Sequence, residues 1–261
     1  MNKEKIRELA AYLNDAELNR QEIFKITLDY PELTDELAYD IQHEIVNIKE
    51  ESGDRVIGMK MGLTSEAKMK QMGISEPLYG HILDYMLVDN RGEVSLSELI
   101  HPKVEAEIAF IMGKDLQGSN ITEDDVLDAI EYVLPAMELV DSRFENFNFT
   151  LKDVIADNCS SSRVILGDKY TKPDGLRMEL LGTSLSINNE IVDMGTGAAV
   201  LGNPLTSVVM LVKLLDKRGL KLKANSLVLT GGITKAFMIK EGDIVSTRIE
   251  DLGEVSFKVV K

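Results

Sequence analysis

The chain has 261 residues, with 44 Asp and Glu against 29 Lys and Arg, a formal net charge of −15, and 44% hydrophobic residues. That balance is ordinary for a globular chain able to bury a sizeable core, and the acidic surplus argues against a nucleic-acid or anionic-membrane partner, both of which need a basic face. One cysteine, Cys159, excludes an internal disulfide; neither a signal peptide nor an apolar run near the ~20 residues of a membrane span is read, so the cytoplasm is the expected compartment.

The first fifty residues read as helical. Ile6, Leu9, Leu13 and Leu18 are roughly helix-spaced, and Thr34 opens a second helix whose Asp35 and Glu36 suit its positive end. Leu37, Ile41, Ile45 and Ile48 form its stripe, and Gly53 stops it. Residues 1–54 are expected to form an N-terminal helical arm on a catalytic domain over 55–261. From Arg55 to Leu63 the pattern is a strand carrying Lys60 among apolar neighbours, followed by a short helix from Ser65 to about Met72. A turn at 89–92 and a strand over about 103–113 come next. Thr122 then caps a helix expected to run to about Leu134 and Pro135, with a strand over 136–142 after it. The second half is mostly β. Asn188-Asn189 makes a hairpin turn, Asn203 and Pro204 open one helix ending near Gly219, and 226–230, 243–249 and 254–260 are closing strands.

The strand over 103–113 carries the most telling residues. In Val104-Glu-Ala-Glu-Ile-Ala-Phe-Ile-Met112, side chains two apart share a face, so Glu105 and Glu107 project together, opposite Val104, Ala106 and Ile108. Like charges in a poorly solvated place repel, and a hard divalent cation such as Mg²⁺ or Mn²⁺ resolves the conflict. A half-exposed strand with a polar face explains the same pattern. Glu138, alone in Met137-Glu-Leu-Val140, is either a structural hydrogen-bond acceptor or a third ligand. Lys60 is either an edge residue whose amine reaches water or a donor to developing negative charge. The polar stretch from Asp157 to Ser162 either caps and turns or binds a carboxylate. Cys159, with no cation or histidine next to it in sequence, reads as a small buried filler. Thr230-Gly-Gly-Ile-Thr234 brings bare backbone near a ligand but lacks the spacing of a phosphate loop.

Together, Lys60-Met-Gly-Leu-Thr64, Glu105-Ala-Glu-Ile-Ala-Phe110, Pro135-Ala-Met-Glu138, Val140-Asp-Ser-Arg143 and Ala156-Asp-Asn158 resemble the 2-oxopent-4-enoate hydratase and 4-oxalocrotonate decarboxylase group of the fumarylacetoacetate-hydrolase superfamily. The resemblance spans nearly the whole chain, in order. It implies an α/β (α+β) fold, a mixed β-sandwich roll with an N-terminal helical region, and a bound Mg²⁺ or Mn²⁺. By the same resemblance Glu105, Glu107 and Glu138 match the metal ligands, Lys60 the active-site lysine and Ser160 a substrate-side serine. Hydratases of the group carry an acid/base aspartate in Pro-Asp-Phe-Gly. Here the stretch is Pro77-Leu-Tyr-Gly80, so Leu78 stands in that place and cannot carry a proton.

The decarboxylase is therefore favoured. The implied reaction turns 2-oxohex-3-enedioate (4-oxalocrotonate) into 2-hydroxypenta-2,4-dienoate and CO₂, in meta-cleavage aromatic catabolism, with Leu78 and Ser160 contacting the substrate. The alternatives are the hydratase acting on that dienol, an acylpyruvate hydrolase or isomerase, and a non-catalytic partner subunit. A small 2-oxo dicarboxylate, further copies of the chain in a homo-oligomer, and a 2-oxopent-4-enoate hydratase are the implied partners.

Overall fold

In the computed structural model, which describes residues 1–65, 69–70 and 74–261, side-chain caps start the first two helices. Asn2 accepts from the Lys5 amide to open α1 (Lys3–Asn19), and Thr34 accepts from that of Leu37 to open α2 (Asp35–Glu51). The apolar stripes face inward. Leu9, Leu13, Ile41 and Ile45 are buried in one cluster with Phe110, Phe144 and Val208, whereas Leu18 is 62% exposed and belongs to no stripe. The expected short helix from Ser65 to Met72 lies largely outside the described residues.

An eight-stranded mixed sheet forms the centre. Its order is β2 (Leu78–Leu83), β1 (Val56–Gly62), β10 (Leu227–Leu229), β5 (Lys103–Met112), β6 (Ile130–Val140), β7 (Ser161–Leu166) and β3 (Leu87–Val88), with β11 (Phe237–Met238) also on β5. A second sheet has the order β4 (Glu93–Ser95), β13 (Gly253–Val260), β12 (Ile244–Ile249), β8 (Gly182–Ile187) and β9 (Glu190–Thr196). Val104, Ala106, Met137 and Leu139 of the first sheet pack with Leu185, Val245, Val255 and Phe257 of the second, which is the sandwich expected of the α/β roll. The hairpin between β8 and β9 turns at Asn188 and Asn189, both left-handed (φ 54° and 65°), as a primed turn requires.

Two expectations are corrected. The helix opened by Thr122 is only α3 (Glu123–Ala129), closed by a Thr122–Asp125 capping box at its start and by extended backbone at Ile130. The helical spacing of Val126, Ile130, Val133 and Leu134 is overridden by pairing, because β6 runs alongside β5 for its whole length and strand preference is decided by such contacts. The segment Gly197–Asp216 is also long and apolar enough by composition to cross a membrane. It contains α4 (Pro204–Asp216), whose Val208, Leu211, Val212 and Leu215 are at most 2% exposed and sit in the main core. Its apolarity is that of a helix covered on most sides.

Candidate active site

The carboxylates converge because β5 and β6 are antiparallel and in register. Glu105 stands directly opposite Glu138, and Glu107 follows two residues on, on the same face. One oxygen from each of the three lies within 4.8 Å of the others. Glu107 and Glu138 are fully buried. Like charges opposed on a sheet are destabilising, so this placement calls for a positive partner.

Neighbouring backbone is shaped around them. Strands β10 and β11 both pair with β5, but between them residues 230–236 leave the strand path beside Glu105 and Glu107. There the Gly231 amide donates to Glu107 Oε2 at 2.7 Å. A Cβ on Gly232 would lie 2.3 Å from Glu105 Oε2, and one on Gly231 (φ 114°) would lie 2.1 Å from Thr64 Oγ1. Bare backbone is thus required on this wall. Ser161 donates to Glu138 Oε1 at 3.4 Å.

Lys60 reaches the same place from β1. Its Nζ is 2.9 Å from Glu138 Oε2 and donates to the Cys159 carbonyl at 3.4 Å. It is 2% exposed, so it is no edge lysine with its amine in water. Burial works against its charge, but Glu138, Glu105 and Glu107 hold the ammonium above its ordinary range. Burial raises Glu138 to about 7 despite Lys60, with Glu105 pushing the same way. Glu107 is raised well above the usual carboxylate range, by burial first and then by Glu138 and Glu105.

The cavity of about 240 Å³ beside Lys60 and Glu105 is lined by Leu78, Ser160 and Cys159, with Phe147, Phe149 and Val154 among its apolar walls. Asn158, Cys159 and Ser160 are all left-handed (φ 47°, 53° and 57°), a costly run for non-glycine residues. Tertiary bonds hold it. The Asn158 side chain accepts from the His81 amide at 2.7 Å and donates to its carbonyl at 2.9 Å, and the Cys159 thiol donates to the Tyr79 carbonyl at 3.1 Å. Burial pushes that thiol up to about 12, so Cys159 is a filler and not a nucleophile.

Beneath the run, Arg143 Nε donates to Asp157 Oδ1 at 2.5 Å, Nη2 to the Asp157 carbonyl at 2.5 Å and Nη1 to the Asp141 carbonyl at 2.8 Å. Arg143 and Asp157 are both buried. Replacing Arg143 with Met removes one partner of a buried ion pair, expected to cost ~3–5 kcal/mol. In a chain this size a thermal melt should fall by at least about 6 °C. An unchanged melting temperature would mean that the pair supports nothing.

The structure therefore brings together all six residues singled out in the sequence: Lys60, Leu78, Glu105, Glu107, Glu138 and Ser160. Sequence reasoning missed Ser161, the Arg143–Asp157 pair as a support, the aromatic wall and Lys103. Of these, Arg143, Asp157 and Ser161 lay within stretches already singled out but without these roles, and Lys103 left its even spacing with Glu105 and Glu107 on one strand face.

The carboxylate set fits a divalent cation. Among the described residues Glu107 Oε1 is buried with no hydrogen-bond partner, and the oxygens are close enough for one hard ion.

Comparison with known proteins agrees with this geometry. A family model described as fumarylacetoacetate (FAA) hydrolase C-terminal matches residues 82–260. The chain is 46% identical over 260 residues to a 4-oxalocrotonate decarboxylase of Pseudomonas putida, covering 100% of this chain and 98% of that one. It is 37% identical over 255 residues to a 2-keto-4-pentenoate hydratase of Paraburkholderia xenovorans (strain LB400), covering 98% and 95%. The solved 4-oxalocrotonate decarboxylase from Pseudomonas putida G7, complexed with magnesium and adipate, superposes with a TM-score of 0.98 at 45% identity, covering 100% of this chain and 99% of that one. The chain belongs to the fumarylacetoacetate hydrolase family, within its group of 4-oxalocrotonate decarboxylases and 2-oxopent-4-enoate hydratases.

Proposed function

We infer that this chain is a metal-dependent carboxy-lyase that converts 2-oxohex-3-enedioate into 2-hydroxypenta-2,4-dienoate and CO₂. What carries the reading is Leu78, 5% exposed on the wall of the Lys60 pocket, in a chain similar over its full length to 4-oxalocrotonate decarboxylases. Glu105, Glu107 and Glu138 would hold Mg²⁺ or Mn²⁺, which when bound supplies Lewis acidity and positive charge for the oxygens of a 2-oxo acid.

The remaining work falls to side chains of the chain itself. The C5–C6 bond breaks, and its electron pair forms C4=C5. The former C3=C4 pair moves to C2=C3, and the C2 carbonyl pair moves onto the C2 oxygen. Lys60 Nζ, kept charged by its carboxylate neighbours, stabilises that oxygen as it gains charge and then gives it a proton. Ser160 holds the substrate. Leu78 and the apolar wall keep the departing carboxylate poorly solvated, which favours its loss as neutral CO₂. Water addition would need a proton carrier on the vinyl group, and a leucine offers none.

Association into a homo-oligomer or with a 2-oxopent-4-enoate hydratase, and a cytoplasmic setting, complete the proposal. The mass of the purified protein in solution, alone and with such a hydratase, tests the first two.

The deciding assay is CO₂ release from 2-oxohex-3-enedioate with Mg²⁺, repeated after chelation. Release that stops on chelation and returns with Mg²⁺ is the expected result. Hydration of 2-hydroxypenta-2,4-dienoate without CO₂ would establish the hydratase instead. Cleavage or isomerisation of an acylpyruvate would move the chain elsewhere in the superfamily. Tight metal binding without any turnover would leave the partner-subunit reading.

A further inference from the structure

The pocket wall holds two ammonium groups, and the mechanism uses only one. Lys60 is committed to Glu138 at 2.9 Å. Lys103, at the start of β5, lines the same cavity and makes no ion pair among the described residues. Its Nζ instead lies over the Phe147 ring, 3.6 Å from the centroid, a contact that orients a cation without neutralising it.

Position along the strand sets the spacing. Lys103 and Glu105 are two residues apart on the same face of β5, a repeat of about 6.8 Å. The terminal carbons of a six-carbon dicarboxylate are joined by five bonds of about 1.5 Å, which in an extended zigzag span roughly 6 Å. A substrate whose 2-oxo acid end sits at the carboxylate cluster can thus bring its second carboxylate level with Lys103. The electrostatics favour such a group, because the substrate is a dianion and the chain carries a net charge of −15. A cation on the approach offsets that repulsion.

We propose that Lys103 is the distal-carboxylate reader of this pocket, a specificity-determining residue that selects dicarboxylates over monocarboxylates of the same length. The proposal deepens the function inferred above and rests on it for the identity of the substrate. Lys103 acts in capture and not in bond breaking. The carboxylate it pairs with is the one lost as CO₂, so the pair is strongest before the reaction and gone after it. The pair is weakened but not lost while the C5–C6 bond stretches, so it lowers KM, lowers kcat by less, and still raises kcat/KM for a dicarboxylate.

The test compares Lys103→Met, which keeps most of the apolar stem, with Lys103→Arg, which keeps the charge. Binding of adipate and of hexanoate to the Mg²⁺-loaded enzyme is measured by calorimetry, beside steady-state kinetics. The expected result for Lys103→Met is adipate binding weakened at least tenfold and hexanoate binding within twofold of the parent. KM should rise at least tenfold with kcat unchanged or higher, and Lys103→Arg should recover most of the adipate affinity. Equal effects on both ligands, no effect on either, or a fall in kcat at constant KM would overturn the proposal. If the parent releases no CO₂, the adipate and hexanoate comparison still reads Lys103, so failure of the functional reading and failure of this one remain separate.

Discussion

Replacing Lys60 with Ala is expected to lower kcat for CO₂ release on the order of 10²–10³-fold, the usual effect of deleting one donor to a developing oxyanion. The magnitude follows from geometry. Lys60 is the buried cation against the carboxylate cluster, ion-paired to Glu138 at 2.9 Å, and at 2% exposure no water takes over its role cheaply. The same change removes the charge that pulls Glu138 down, so in the variant Glu138 holds its proton to higher pH. Mg²⁺ binding should therefore be compared above pH 8, where proton competition is weakest. There the Kd should stay within about tenfold of the parent, the weight of one pKa unit. A kcat unchanged at saturating Mg²⁺ and substrate would remove Lys60 from the chemistry. A loss of Mg²⁺ binding as large as the loss of turnover would make it a support of the metal site.

Replacing Glu107 with Gln separates stability from function in opposite directions. The metal-free protein holds three carboxylates within 4.8 Å, two of them fully buried, and Glu107 is raised well above its ordinary range by burial and by Glu138 and Glu105. Gln is close to isosteric and can keep the bond from the Gly231 amide, while it removes one charge from the cluster. The metal-free variant should melt higher than the metal-free parent near pH 8, by about 2–4 °C for each kcal/mol of repulsion relieved in a chain this size. Mg²⁺ affinity should fall more than about a hundredfold, since loss even of a residue that only orients a ligand costs 10–100-fold.

The pH dependence has a definite sign. Glu138 is raised from 4.5 to about 7 on folding, so its contribution to metal-free stability is complete below about 4.5 and is lost as pH rises through about 7. Mg²⁺ takes the ionised carboxylates, so the gain in melting temperature on adding it should be small near pH 5 and large near pH 8. Melting curves with and without Mg²⁺ across that range decide the matter. A metal-induced shift that is flat with pH would mean that the cluster is ionised before the metal arrives.

Much of the architecture was legible locally. Caps at Thr34, Thr122 and Asn203 start helices because short polar side chains satisfy free amides there. The two asparagines at 188–189 turn a hairpin because both tolerate positive φ. Alternation along β5 was enough to place Glu105 and Glu107 on one face, away from Val104 and Ala106. Resemblance to a known group carried the step from these residues to a reaction. The sequence could not place the end of the helix after Thr122, because the same apolar spacing serves a strand once β5 is there to pair with it.

Convergence at the site was decided only by tertiary structure. Glu138 faces Glu105 through a register between strands of which one ends at Met112 and the next begins only at Ile130, which no periodicity reports. Lys60 arrives from β1, which never pairs with β5 directly and is held two strands away by β10. Its charge then depends on those carboxylates, which outweigh the burial that would discharge it. Ser160 reaches the cavity through three left-handed residues that are unfavourable in isolation and are held by His81, Tyr79 and the buried Arg143–Asp157 pair. The sequence alone named the residue types and the faces they occupy, because those follow from local geometry. The distances among them, and hence their protonation, come from long-range pairing and burial, which exist only in the folded chain.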